Sequence, residues 1–310
     1  MRKTTFLAII FTICAFGSIV RGWHNPGHHA ATSLAVATAK DEMPSFFVKG
    51  AEMIAHCSLD PDAFTRPIAP PELTSAERSE HYFDLELVEG WKLPETRYEF
   101  LALCAVKKTD PTKIGLLPYA ITEWTQRLSV ALAEHRKWPD NPHIKSKCLV
   151  YAGIASHYAQ DLCNPLHTTI HYDGRARKDG SSPRSGIHLK TDALIGKTDH
   201  KRVTAAGLIS PKRIERIFPV VMAELRRSNA LVDKVYQLEE ELPSLAEPLE
   251  PGGPVEQFAI ERMRRAAAFT ASLYVAAWRQ SATIRIPDWH KRSPGKEQRS
   301  KASQTPADGE

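Results

Sequence analysis

Residues 154–167 read IASHYAQDLCNPLH and residues 188–192 read HLKTD. If the segment ending at Cys163 is helical, His157 and Asp161 stand one turn apart on one face, where an imidazole nitrogen and a carboxylate oxygen can meet one cation. His188 and Asp192 repeat that spacing. Pro165 ends the first helix and leaves His167 just past its C-terminus, able to turn back toward the same pocket. A lone histidine four residues before an aspartate is more often a surface ion pair than a metal site. Two such pairs between His157 and Asp192, with Pro-Leu-His between them, point instead to a shared site. Nitrogen and oxygen donors without thiolate suit zinc best, ahead of manganese, iron and cobalt.

Outward from this run the chain reads as helical almost throughout. Apolar residues recur at three and four spacing in SLAVATA, LLPYAITEWTQRLSVALAEHR, SKCLVYAGIASHYAQDL, PKRIERIFPVVMAELRRS, NALVDKVYQLEEEL and EQFAIERMRRAAAFTASLYVAAWRQ, and β-branched alternation is nearly absent. The expected fold class is therefore all-α. Proline and glycine gather in the joints RPIAPPE, DGRARKDGSSPRSG and AEPLEPGGP, and no internal repeat or clear domain boundary is seen. One multi-helix domain over residues 23–287 is expected. Residues 288–310 lack apolar character and are expected to be disordered. The loop at residues 173–186 carries Arg175, Arg177, Lys178 and Arg184; a solvated, mobile connection is the simpler expectation, a substrate-facing flap the alternative.

Residues 1–22 open with Arg2 and Lys3, continue through an apolar stretch from Phe6 to Val20 and end at Gly22, the pattern of a secretory signal peptide. Export to a periplasmic or extracellular space is expected. Removing Arg2, Lys3 and Arg21 lowers the formal charge from +5 to +2, weak for a protein that grips duplex phosphates. Cleavage after Gly22 exposes Trp23, whose α-amino group and carbonyl can chelate a cation. His28 opens the next helix and is a candidate third ligand, with His29 about 100° away around it. Four cysteines remain, Cys57, Cys104, Cys148 and Cys163. Export permits two disulfides, and buried free thiols are equally compatible with their spacing. Cys148 and Cys163 fall on one predicted helix, too far apart to pair.

HCSLDPDAF adds Asp60 and Asp62, and SEHYFDLE adds His81 and Asp84. Alone, Asp-Pro-Asp is ordinary turn chemistry, and a histidine beside aromatics is usually packed. Taken with Trp23, His28, His157, Asp161, His167, His188 and Asp192, however, their order and spacing resemble the secreted single-strand-specific nucleases of fungi and plants and the related bacterial zinc-dependent phospholipases C. The resemblance spans about residues 23–280. It implies an all-α fold with three zinc ions in a cleft. One ion would take Asp60 or Asp62 with His81, His157 and Asp161; a second Trp23, His28 and the shared Asp161; a third His167, His188 and Asp192. Asp60 and Asp62 compete for the first place, with Asp62 favoured because it follows Pro61. The four residues between Trp23 and His28, the final Asp192 and the HYFDLE stretch lean toward the nuclease branch, in which Asp84 would help hold the substrate's base. Arg66 stands displaced from the family's arginine.

Three divalent cations against three ligand carboxylates leave a net positive pocket that attracts a phosphate ester and lowers the pKa of water. A hydroxide held between two cations would then attack phosphorus, with Asp161 bridging the pair. Asp161, and Asp84 by the resemblance alone, are the expected catalytic carboxylates. The expected substrate is single-stranded nucleic acid or nucleotides, with 3′-phosphate removal as a companion activity by resemblance. Tyr82 and Phe83 are candidate stacking platforms for a base, against an ordinary role in the core. The rival readings are a phospholipase C acting on phospholipid head groups and an exported helical zinc-binding protein without turnover. No obligate protein partner is evident.

Overall fold

The computed structural model describes residues 25–292 of the 310-residue chain. Among these residues every regular element is helical, and extended pairing is limited to two isolated bridges, Phe83 with Gly115 and Tyr172 with Gly174. The all-α expectation holds. The expected signal peptide, Trp23 and residues 293–310 lie outside the described residues. No described helix is long and apolar enough to cross a membrane.

In chain order the helices are α1 (Asn25–Ala39), α2 (Ser45–Lys49), α3 (Ala51–Cys57), α4 (Asp60–Phe64), α5 (Pro71–Arg78), α6 (Arg97–Val106) and α7 (Pro111–Ile114). They continue with α8 (Leu117–Lys137), α9 (Pro142–Asp161), α10 (Ile187–Gly196), α11 (His200–Ala205), α12 (Ile217–Asn229), α13 (Val232–Gln237) and α14 (Pro254–Ser281). Short 3₁₀ turns cover Ser79–His81, Leu85–Val88, Pro165–Thr168 and Glu239–Glu241.

Four long helices, α1, α8, α9 and α14, pack on one another to form the core. In α8, Leu117, Ile121, Leu128 and Leu132 fall at helical spacing and are fully buried. Pro118 sits where a helix tolerates proline, and Arg136 and Lys137 complement the dipole in the last turn. Alanines at 31, 35, 152, 159, 266, 267, 271 and 277 are buried at the helix contacts, and their small side chains let the backbones approach. A second apolar cluster joins Leu166, Ile187 and Leu194 to Val235, Leu238, Leu242 and Phe258. It supports the turn before His167 and both flanks of the His188–Asp192 pair.

Boundaries depart from the sequence reading in three places. α9 ends at Asp161, so Cys163 lies beyond it and not on the same helix as Cys148. The stretch from Pro211 becomes helical only at Ile217, because Pro219 is compatible with a helix only in its first turn. NALVDKVYQLEEEL divides into α13 and a 3₁₀ turn at the adjacent carboxylates Glu239, Glu240 and Glu241. The start of the expected tail is also held: His290 Nε2 donates to buried Glu134 (2.5 Å), and Asn141 Nδ2 donates to the Arg292 carbonyl (2.7 Å). Glu134 is almost wholly buried on α8 and draws in Lys147, His290 and Arg292. Cys57, Cys104, Cys148 and Cys163 are buried free thiols, so no disulfide joins them.

Candidate metal centre

The C-terminal half of α9 is buried on every side. From Ala152 to Asp161 no residue reaches the surface, and this interior stretch carries Ser156, His157, Gln160 and Asp161. Gly153 explains how α3 crosses so close. A methyl group there would lie 2.6 Å from both Cys57 Cβ and the Ile54 carbonyl. The crossing brings the end of α3 over the next turn of α9, where His157 Nδ1–H donates to the Ser58 carbonyl (2.8 Å).

That outward bond fixes the ring, because a nitrogen that donates to a carbonyl leaves the other nitrogen with its lone pair. His157 Nε2 consequently faces inward, 3.1 Å from His81 Nδ1 and 3.3 Å from Asp161 Oδ2. The same logic orients two further rings. Gln160 gives its NH₂ to Thr32 Oγ1 (2.7 Å) and accepts from His28 Nδ1 (2.7 Å), which turns His28 Nε2 toward Asp161 Oδ1 at 3.5 Å. His167 Nδ1 donates to the His81 carbonyl (2.7 Å), and its Nε2 stands 3.3 Å from Asp192 Oδ1. In each case an imidazole lone pair points at a carboxylate oxygen. Two acceptors facing each other need a proton or a cation between them.

His81 is set by backbone pairing on both sides. The Leu116 and Leu117 amides donate to the Ser79 and Tyr82 carbonyls, the Asp84 amide to the Ile114 carbonyl, and the Phe83 amide to the His167 carbonyl. Gly115 adopts φ +96°, and any side chain on it would strike the Tyr82 carbonyl. His188 and Asp192 lie one turn apart on α10, with Nε2 and Oδ2 3.0 Å apart. Asn164 Nδ2 donates to Asp192 Oδ1 (2.5 Å), and its Oδ1 caps the following turn at the Leu166 amide. The loop at residues 173–186 returns at its base: Asp173 Oδ1 accepts from the Gly186 amide (2.7 Å) just before α10. Arg175 pairs with Asp233 and stacks on Tyr236.

Three groups of donor atoms therefore converge: His28, His157 and Asp161; Asp62, His81 and His157; and His167, His188 and Asp192. Within each group the donor atoms lie within 4.8 Å of one another. His157 is common to the first two, and Asp161 of the first group also reaches the second, its Oδ1 toward His28 and its Oδ2 toward His81 and His157. Asp62 Oδ2, Asp161 Oδ1 and Asp192 Oδ2 are buried and accept no hydrogen bond. Buried carboxylate oxygens left so are costly unless a cation meets them. These groups have the chemistry to hold metal ions.

Metal-free, the groups store protons where cations would sit. Burial disfavours the charged form of His81, but the carboxylates of Asp161 and Glu77 outweigh it and push the imidazole up to about 10. His167 rises to about 9 against the same burial cost, through Asp161 and Asp192. Burial holds His28 down at about 4, helped by the charge of His157. Burial opposes ionisation of Asp161, yet the charges of His157 and His167 hold its carboxyl well below the ordinary range. Any metal uptake here would compete with protons and weaken as pH falls.

Of the expected site residues, His28, Asp62, His81, His157, Asp161, His167, His188 and Asp192 come together, and Trp23 lies outside the described residues. Asp60 joins none of the three groups. It opens α4 half-buried, its carboxyl raised by burial, while Asp62 turns inward and pairs with Arg66 at 3.7 Å. Asp84 is buried but belongs to no group, and burial and Glu86 push its carboxyl up to about 8. Phe83 is fully buried against Phe100 and offers no stacking face, and Tyr82 gives its hydroxyl to the Thr112 carbonyl. Sequence reasoning passed over Gln160, Asn164, Glu77 and the Ser58 carbonyl. Glu77 had a usable signal, since it precedes His81 by the same four residues that separate His157 from Asp161.

Fold and site together define an all-α protein with a buried histidine–aspartate centre able to hold metal. Its sequence matches no protein-family model and no curated protein.

Proposed function

We propose that the chain is a zinc-dependent phosphodiesterase acting on single-stranded nucleic acid or nucleotides, built on the phospholipase C/nuclease type of helical fold. One observation carries the reading: imidazole lone pairs of His28, His157 and His167 aim at carboxylate oxygens of Asp161 and Asp192 in a buried site. Three zinc ions fit the donor set. Asp62, His81 and His157 would hold one with Asp161 Oδ2; His28 and Asp161 Oδ1 a second, completed by the amino end at Trp23; His167, His188 and Asp192 the third. Bound divalent cations supply positive charge against a phosphate ester and acidify nearby water.

The protein's own groups do the positioning. Asp161 keeps two of the donor groups in register because its two oxygens face different neighbours. Gln160, Ser58 and the His81 carbonyl lock three rings in the tautomer that leaves Nε2 open inward. Three carboxylates among the ligands are too few to cancel three divalent charges, so an anionic substrate is drawn in without a basic surface. Arg66, beside Asp62, adds positive charge next to that group. Asp84, close enough to His167 to feel its charge, takes the supporting role toward the substrate's base.

The test is to incubate zinc-loaded protein separately with heat-denatured DNA and with phosphatidylcholine vesicles. Release of nucleotides is expected. Diacylglycerol without nucleotide release would make the chain a phospholipase C, and zinc uptake without turnover on either substrate would make it a binding protein.

A further inference from the structure

His81 differs from the other oriented rings in what stands behind it. The outer nitrogens of His28, His157 and His167 each donate to a neutral oxygen, from Gln160, Ser58 and His81 itself. Among the described residues the outer nitrogen of His81, Nε2, is buried without a hydrogen bond, and the nearest acidic oxygen is Glu77 Oε1 at 3.6 Å. Glu77 is mostly enclosed and does not point there by chance. It lies one turn before His81 in the run from α5 into the 3₁₀ turn at Ser79–His81. Its Oε1 accepts the hydroxyl proton of Tyr158, the residue after His157 and itself buried. Tyr158 also packs edge-on against both rings, with centroids 5.5 Å from His81 and from His157. A carboxylate is thus tethered by α9, the helix of His157 and Asp161, and presented to the back of a candidate metal-ligating histidine on another segment.

We infer that Glu77, held by Tyr158, is the positioning residue of His81: it accepts the Nε2–H of His81, leaves the Nδ1 lone pair facing His157 and Asp161, and makes His81 a more electron-rich imidazole than His28, His157 or His167. The inference rests on the proposed metal centre and adds a charged partner to it. A carboxylate behind a ligating histidine fixes its tautomer and raises its basicity, and losing such a partner weakens metal affinity about 10–100-fold. The negative charge of Glu77 also remains beside the centre when the ions are bound, and lowers the net charge that a phosphate meets.

The test uses the full chain, with zinc alone as the probe. Glu77→Gln keeps size and polarity but not charge; Tyr158→Phe keeps the ring and removes the tether. Competition against a chelator is expected to show zinc bound at the His81 group about 10–100-fold more weakly in Glu77→Gln, with a smaller loss in Tyr158→Phe. Zinc at His167, His188 and Asp192 should keep its affinity. Nitrogen-15 spectra of the zinc-loaded wild type should show the His81 proton on Nε2, and Glu77→Gln should shift that signal while circular dichroism stays unchanged. Wild-type zinc affinity in Glu77→Gln, or a His81 proton on Nδ1, would overturn the inference. These readouts separate it from the catalytic proposal: zinc loss in Glu77→Gln with a wild type that hydrolyses nothing defeats only the latter, and a wild type that binds no zinc defeats both.

Discussion

At the scale of single residues, Asp161 has the most to lose. It is fully buried, and its two oxygens face different histidines, Oδ1 toward His28 and Oδ2 toward His81. Asp161→Asn should reduce phosphodiester hydrolysis by at least about 100-fold and lower the zinc content, because an amide cannot bridge two cations. Undiminished turnover would discredit the mechanism. Asp84 gives a pH test. Its carboxyl is raised from 3.8 to about 8 in the folded chain, so the fold is favoured while the group is protonated, and that contribution is lost as pH rises through about 8. In metal-free protein the stability of Asp84→Asn relative to wild type should therefore climb by about 1 kcal/mol per pH unit between those values. Thermal melts at several values between about pH 4 and 8 would check this, and a constant difference would refute it. His157 and Asp161 were legible in the sequence because one helix carries both. Asp60 and Asp62 were not separable, since which of two neighbouring aspartates turns inward depends on how α4 meets the body of the protein. The acceptor on His157 is a backbone carbonyl, which has no sequence signature at all.

At the scale of elements, the centre depends on how closely α3 and α9 cross. Gly153→Ala would place a methyl group against backbone and a cysteine that have no room to retreat. It should cost about 1–3 kcal/mol of stability and loosen the bond from His157 to Ser58, lowering zinc affinity in the same variant. A melt and a zinc titration measure the two effects, and a fully stable variant would show that the helices can separate freely. Helix identity was readable wherever apolar spacing ran long, as in α8, α9 and α14. It failed where a local breaker moved an end, as at Pro219. The segment from Ser79 to Asp84 could not have been placed from periodicity, because its conformation comes from pairing with the start of α8 and with His167.

At the scale of the whole molecule, the centre draws on α1, α4, α9, α10 and two 3₁₀ turns, so the ions would cross-link segments from both halves of the chain. Elemental analysis of the purified protein should find about three zinc per chain, and chelation should lower its melting temperature markedly, since a ligand at 1,000 times its Kd stabilises by about 4 kcal/mol. Absence of zinc together with an unchanged melt would remove the basis for the proposal. The backbone bears on how such ions enter. His167 Nδ1–H donates to the carbonyl of His81, and the Phe83 amide donates to the carbonyl of His167. Ligands of separate groups are therefore buttoned to each other directly, and each is held in place before any metal reaches it. Filling should therefore be stepwise: at scarce zinc, native mass spectra would show partly loaded molecules beside empty and saturated ones.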